Sequence, residues 1–253
     1  MILGEINIFW TGGWDSTYRV LELLLIENQK VHPYYIVDPG RKSLANEIIA
    51  MTLINYRIQT TFPDQAAGLM PVELIHLEAI PPDEEITKWF QQLKSKIHIG
   101  EQYEWLARYA KHKAKELELC VERNPDMSTQ GIFNKSVRPL LKGSYHGCQI
   151  EGPLPDPALQ IFTYFRYPLL LRLTKADMRA IAEELGFIDI MKLTWFCHNP
   201  INGLPCGHCR PCSFAHYTGL EYMFYQPTKE VYRPTKEDKI RDLIGGILKK
   251  IKK

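Results

Sequence analysis

The chain has 253 residues, 45% of them hydrophobic, and a formal net charge of +2, so it can bury a sizeable core and shows no overall excess of charge that would mark a nucleic-acid-binding protein. No apolar run approaches the length of a membrane span, and Met1-Ile2-Leu3-Gly4-Glu5 lacks the basic start and apolar centre of a signal peptide; a soluble, cytoplasmic protein without membrane association is expected. Six cysteines in a reducing compartment suggest metal binding or catalysis before disulfides.

Ile6, Ile8 and Trp10 alternate as in a strand, and Leu21, Leu24 and Leu25 recur at helical spacing. Between them lies Trp10-Thr11-Gly12-Gly13-Trp14-Asp15-Ser16-Thr17. A glycine turn at a helix N-terminus presents unpaired amides and the positive end of the helix dipole, and lets an anion approach the main chain. Thr11, Ser16 and Thr17 add hydroxyls, while Asp15 supplies a carboxylate that could hold magnesium or cap the helix. The Walker pattern is absent, for there is no four-residue gap between glycines and no following Lys-Ser/Thr pair. A strand-turn-helix junction without a ligand is the plainer alternative.

Residues 31–37 read as a second strand ending at Asp38-Pro39-Gly40-Arg41, and residues 43–57 as a helix capped by Ser43 with Glu47 facing the edge. In a parallel crossover the loops at the carboxyl ends of strands gather on one edge, so Asp38, Gly40 and Arg41 are expected beside the glycine turn. Arg41 reads equally well as a phosphate contact and as a solvated loop cation. A third strand over 72–77, helices over 83–96 and 100–115 and a short strand over 117–121 complete an α/β alternation. The apolar stripe Tyr103, Leu106, Ala107 and Ala110 reads as core.

Periodicity fades over residues 123–157, which read as long loops and as the candidate substrate lid; Lys135, Arg138, Lys142, Tyr145 and His146 are its chemistry-capable groups, though they read more readily as ordinary solvated polar residues, and Cys148 reads as an apolar filler. Residues 161–167 resume as strand. Thr174 and Asp177 form a capping-box start for a helix stopped by Gly186. Lys175 stands in the first turn of that helix, where a cation opposes the dipole unless an anion is near.

Cys197, Cys206, Cys209 and Cys212 lie within sixteen residues. Four thiolates suit a closed, structural zinc site, with Pro205 and Gly207 allowing the tight turns. A redox pair at Cys206-Gly207-His208-Cys209, an iron-sulfur cluster, and replacement of one cysteine by His198, His208 or His216 remain as alternatives.

The glycine turn resembles the pyrophosphate loop of the N-type ATP pyrophosphatases, with Thr11 in place of a serine. Loop and cysteines together resemble the 7-cyano-7-deazaguanine synthases of the queuosine pathway. Further agreement comes from Asp38-Pro39-Gly40-Arg41 with Lys42, from Glu47, from Pro168-Leu169 with Thr174-Lys175-Ala176-Asp177, and from Thr194 with Cys197. The resemblance covers residues 5–47 and 167–219. It fades in the middle, where Asn124-Pro125-Asp126-Met127 lacks the Cys-Arg of the family's substrate segment, and Ser213 stands where the family has an arginine.

This resemblance implies an α/β fold with a doubly wound, mainly parallel sheet, adenine nucleotide alpha hydrolase-like, and a C-terminal zinc-bound subdomain of helices and loops. The expected divisions are 1–190 for the ATP pyrophosphatase-like domain, 191–224 for the zinc-binding part and 225–253 for a basic extension. Residues 238–253 of that extension read as an amphipathic helix packed on its own domain or a partner. ATP and magnesium would bind at Trp10, Thr11, Gly12, Gly13, Trp14, Asp15, Ser16, Thr17, Asp38 and Gly40, with Asp15, Lys175 and Arg41 as catalytic residues. Zinc would bind Cys197, Cys206, Cys209 and Cys212.

The implied reaction adenylates the carboxylate of 7-carboxy-7-deazaguanine; ammonia then gives an amide, and a second adenylation dehydrates it to the nitrile. A rival, as in relatives found in antiviral defence operons, joins the same acyl-adenylate to an amine of a protein or nucleic acid. A zinc-stabilised nucleotide-binding module without catalysis is the third reading. The partners implied are a small deazapurine and ammonia, with a protein acceptor and a homodimer left open.

Overall fold

Alternation along two strands decides the layering. A computed structural model of the chain describes residues 4–113, 116–124, 131–144, 147–217 and 220. In it Phe9 of β1 (Glu5–Phe9) pairs in register with Tyr34 of β2 (Lys30–Val37), and both side chains enter one apolar core. Their neighbours Ile8 and Tyr35 point the other way into a second core. A sheet buried on both faces is what parallel strands require, because crossover helices must cover both sides.

Those helices follow in chain order. β1 leads to α1 (Trp14–Leu21), extended by a π-helical turn over Glu22–Ile26, and then to β2. α2 (Leu44–Thr61) and the short α3 (Pro63–Ala66) lead to β3 (Glu73–His76). α4 (Glu84–Lys96), capped by Asp83 accepting from the Ile86 amide at 3.0 Å, and α5 (Gln102–Lys113) lead to β4 (Leu117–Glu118). A hairpin of β5 (Leu141–Ser144) and β6 (Gly147–Ile150) precedes β7 (Phe165–Arg166), and α6 (Lys175–Glu184), α7 (Ile188–Met191) and α8 (Arg210–Tyr217) follow. α4 and α5 fill one face; α1, α2, α6 and α7 fill the other.

The five-stranded sheet has the order β3-β2-β1-β4-β7, with every neighbouring pair parallel. From β1 the chain moves outward to β2 and β3, then returns to the opposite side of β1 at β4. The direction of winding therefore reverses between β1 and β4, and a crevice opens at their carboxyl ends. Thr11 to Ser16 follow β1 there, and Cys120 to Glu122 follow β4. The expected α/β parallel architecture is the one found.

Two stretches differ from expectation. Residues 123–157 are not simply long loops: where described they hold a π-helical turn over Phe133–Val137, a 3-10 turn over Arg138–Leu140 and the antiparallel hairpin of β5 and β6. Ile132, Val137, Leu141, Cys148 and Ile150 bury against the main core, so apolar side chains were present, but in runs too short and interrupted to show a period. Cys148 is the filler expected of it; its thiol donates to the Tyr167 carbonyl at 2.9 Å. Residues 161–167 were expected as strand, but a 3-10 helix occupies Pro157–Phe162 and only Phe165–Arg166 pairs in the sheet. The local start signal prevailed: Asp156 accepts from the Ala158 amide at 2.9 Å, and Pro157 suits the first helical position. Residues 125–127, Tyr145, His146 and the extension from 225 onward lie outside the described residues. No helix among the described residues is long and apolar enough to cross a membrane.

Candidate functional site

A cavity of about 580 Å³ occupies the crevice between β1 and β4. Its floor is the glycine turn. Gly12 has φ +68, and a Cβ there would lie 3.1 Å from Met51 Cγ and 3.2 Å from the Glu47 carbonyl, so only glycine lets the loop pass this close to α2. Gly13 caps α1 without a side chain, and its carbonyl accepts from the Thr17 amide at 2.9 Å.

Of the residues expected to hold a nucleotide, Thr11, Gly13, Trp14, Asp15 and Ser16 line the cavity. Trp10, Gly12 and Thr17 stand behind the wall. The Trp10 indole donates to the Thr17 hydroxyl at 3.0 Å, and both residues are fully buried, so this hydroxyl braces the loop from beneath. Asp38 and Gly40 are also outside the lining; the Asp38 carboxylate accepts from the Gly40 amide at 2.9 Å and shapes the turn after β2.

Arg41 reaches the cavity, but as an ion-paired group rather than a solvated loop cation. Its Nε donates to Glu47 at 2.8 Å and to Ser43 Oγ at 3.1 Å. Glu47, buried at the start of α2, also accepts from Ser43 Oγ at 2.6 Å and from the Tyr35 hydroxyl at 2.9 Å. The guanidinium is thus aimed by a carboxylate with little freedom of its own.

The anion demanded by Lys175 is double. α6 begins with the capping box read from the sequence: Thr174 Oγ1 accepts from the Asp177 amide at 3.1 Å, and the Asp177 carboxylate accepts from the Thr174 amide at 2.8 Å. This start carries Lys175 into the cavity wall, with its ammonium 2.5 Å from Asp15 and 3.6 Å from Glu122. Burial and the charge of Glu122 push the Asp15 carboxyl up to about 7. Burial also opposes ionisation of Glu122, but the charge of Lys175 together with hydrogen bonds from Asp15, the backbone and Lys175 outweighs it and holds that carboxyl below its ordinary value. Lys175 is raised, since the two acids outweigh its desolvation.

Beyond the floor the wall turns aromatic. Tyr103 and Phe133 both line it, packed edge to face at 5.2 Å, and Trp195 and Phe196 close another side. Tyr103 therefore serves the cavity as well as the core. Sequence reasoning missed Glu122, Phe133 and Trp195; the reversal of strand order at β1 and β4, once known, is the signal that finds Glu122.

Behind Trp195 the four cysteines converge. The Sγ atoms of Cys197, Cys206, Cys209 and Cys212 all lie within 4.8 Å of one another. Backbone amides already serve these sulfurs, Cys206 donating to Cys197 Sγ at 3.2 Å and Cys209 to Cys206 Sγ at 3.3 Å. Partial burial raises the Cys206 thiol, yet the amides of His208 and Cys209 outweigh it and draw it down to about 6. Four sulfurs at this separation, with amide donors favouring thiolates, suit a tetrahedral soft metal such as zinc. Among the described residues no histidine joins the cluster: His208 Nδ1 lies 2.8 Å from the Cys206 carbonyl, and His198 faces the cavity.

Residues 162–222 match a family model described as queuosine biosynthesis protein QueC. This is the 7-cyano-7-deazaguanine synthase family that the motifs resemble. The QueC match takes in β7, α6 with Lys175, and all four cysteines, so the cation of the cavity and the sulfur cluster fall within one matched segment. Asp15, Glu122 and Phe133 lie outside it. No curated protein matches the chain.

Proposed function

We propose that this protein is an ATP-dependent synthetase that adenylates a deazapurine carboxylate, 7-carboxy-7-deazaguanine, and converts it with ammonia to an amide and then to 7-cyano-7-deazaguanine, releasing AMP and pyrophosphate. The observation that carries this reading is the meeting of Asp15 and Lys175 at 2.5 Å on the wall of the crevice between β1 and β4, with Lys175 inside the segment matching QueC. In this reading the amide-rich turn from Thr11 to Ser16 receives the phosphates, and Lys175 and Arg41 offset the charge that builds on the α-phosphate. Asp15 would hold magnesium, which supplies charge neutralisation for the leaving pyrophosphate. The aromatic side bounded by Tyr103 and Phe133 suits a flat heterocycle. Zinc on the four cysteines would be structural, for a site closed by four sulfurs keeps no open position.

A second reading changes only the acceptor. Phe133 and Asn134 line the cavity from a part of the chain that the QueC match does not reach, so the step after adenylation is the place for divergence toward an amine on a macromolecule.

Incubation with ATP, magnesium, 7-carboxy-7-deazaguanine and ammonium, followed by mass spectrometry, tests both. Nitrile supports the first reading. AMP without nitrile supports the second, and no AMP with the acid present overturns both and leaves a nucleotide-binding module.

A further inference from the structure

Glu122 has no role in that scheme, yet its carboxylate shares the Lys175 ammonium with Asp15. We infer that Glu122 is a positioning residue, which keeps Lys175 charged and directed at the α-phosphate once the phosphates and their cation engage Asp15. The inference rests on the adenylating reading of the cavity.

The backbone separates the two carboxylates into different structural units. After β4 the chain runs alongside the segment that leads into α6: the Leu119 amide donates to the Arg166 carbonyl at 2.8 Å, and the Arg123 amide donates to the Leu173 carbonyl at 2.7 Å. Glu122 thus stands next to a backbone bond that ends two residues before Lys175. The Arg123 guanidinium also approaches Asp177, in the same first turn of α6, at 3.9 Å. Glu122 and Lys175 are therefore carried by one clamped pair of segments. Asp15 stands in the first turn of α1, directly after the glycine turn, which is held instead by α2 and by Trp195.

A site that binds phosphates beside Asp15 creates a conflict for Lys175. Its side chain is only 15% exposed, and an ammonium in such a wall needs an anion. When Asp15 turns its oxygens to a divalent cation, it stops being a full partner to Lys175. Glu122, with a side chain 17% exposed and at 3.6 Å, stays with the lysine because the backbone keeps it there. An ammonium has three donors, so one that faces Glu122 at 3.6 Å still has donors to direct into the cavity.

The test is a double-mutant cycle on single-turnover AMP release, using wild type, Glu122→Gln, Lys175→Met and the double variant, with Glu122→Asp as the charge-retaining control. Glu122→Gln is expected to lower the rate about 10- to 100-fold while KM for ATP stays within about twofold, as for loss of orientation rather than of binding. In the Lys175→Met background the same change is expected to have no further effect, because a residue acting through Lys175 has nothing left to act on. Glu122→Asp should recover part of the rate. Additive losses in the cycle, or a loss confined to KM for ATP, overturn the role of Glu122 and leave the adenylating reading intact. Absence of AMP from the wild type overturns that reading and this inference with it.

Discussion

The Trp195 amide donates to the Gly12 carbonyl at 2.8 Å, which ties the glycine turn to the chain two residues before Cys197. The Trp195 indole then donates to the Cys197 carbonyl at 2.7 Å, so the tie and the first cysteine form one hydrogen-bonded corner. Occupancy of the cysteine cluster should accordingly be felt in the cavity. Metal analysis is expected to give about one zinc per chain. Removing it with a chelator should weaken binding of a non-hydrolysable ATP analogue by about fivefold, the value of one hydrogen bond, as read by calorimetry. Unchanged affinity in metal-free protein that keeps its far-ultraviolet spectrum would show that the corner transmits nothing.

Two glycines with similar backbone angles should respond differently to alanine. Gly12 at φ +68 faces atoms of α2 at 3.1 to 3.2 Å, whereas Gly207 at φ +77 has open space where a Cβ would stand. Gly207→Ala should cost only the backbone term, about 1 kcal/mol. Gly12→Ala adds a collision and should cost about 2 to 4 kcal/mol, with loss of ATP binding as the turn backs away from α2. Thermal melting with zinc present compares the pair; equal losses would contradict the packing argument.

How far the sequence could be read depends on the range of the forces involved. The glycine turn, the capping box at Thr174 and the cysteine spacing are local devices, and each was legible because a short stretch of chain carries its own signal. Lys175 was legible as an anomaly, a cation in a first helical turn, although its anions stood far away in sequence at Asp15 and Glu122. Glu122 was not legible. Nothing local distinguishes it from a surface acid, and only the placement of β4 beside β1 brings it to the crevice. Thr17 illustrates the opposite error, since its hydroxyl belongs to the motif but turns inward to a tryptophan. The hairpin of β5 and β6 escaped because each strand offers too few residues to establish alternation.

Asp15 couples the cavity to pH in two opposing ways. Its carboxyl is held at about 7, above the ordinary 3.8. Between these values the folded protein keeps a proton that the unfolded chain has lost, so this group's contribution to stability falls as pH rises from about 4 to about 7. Asp15→Asn removes the titration, and the variant should gain on the wild type in melting temperature as pH goes from about 5 to about 8. Cation-dependent nucleotide binding has the reverse sign, because a divalent ion needs the carboxylate; wild-type affinity should decline as pH drops below about 7, with excess magnesium moving the limb lower. A melting difference between wild type and Asp15→Asn that does not change with pH would refute the raised value.

Arg19 supplies the last prediction. It is 1% exposed under the sheet, with Nε and Nη2 donating to the two oxygens of Glu118 at 2.9 and 3.0 Å, and Nη1 to Glu22 and Glu27, each at 2.6 Å. Arg172 reaches the same Glu22 at 3.0 Å. Burial raises the Glu118 carboxyl while Arg19 lowers it, and burial prevails. Arg19→Met would strand a buried carboxylate and should cost about 3 to 5 kcal/mol in urea unfolding. Glu118 lies on β4, four residues before Glu122, so the damage should also appear as slower AMP release with little change in KM for ATP. Replacing Arg19 and its bidentate partner together, Arg19→Met with Glu118→Leu, removes one of the buried stranded charges and should destabilise less than Arg19→Met alone, since Glu22 keeps Arg172 and Glu27, with a side chain 15% exposed, reaches water. If the double variant is the less stable of the two, the cluster holds the fold through the ion pair itself and not through avoidance of an unpaired charge.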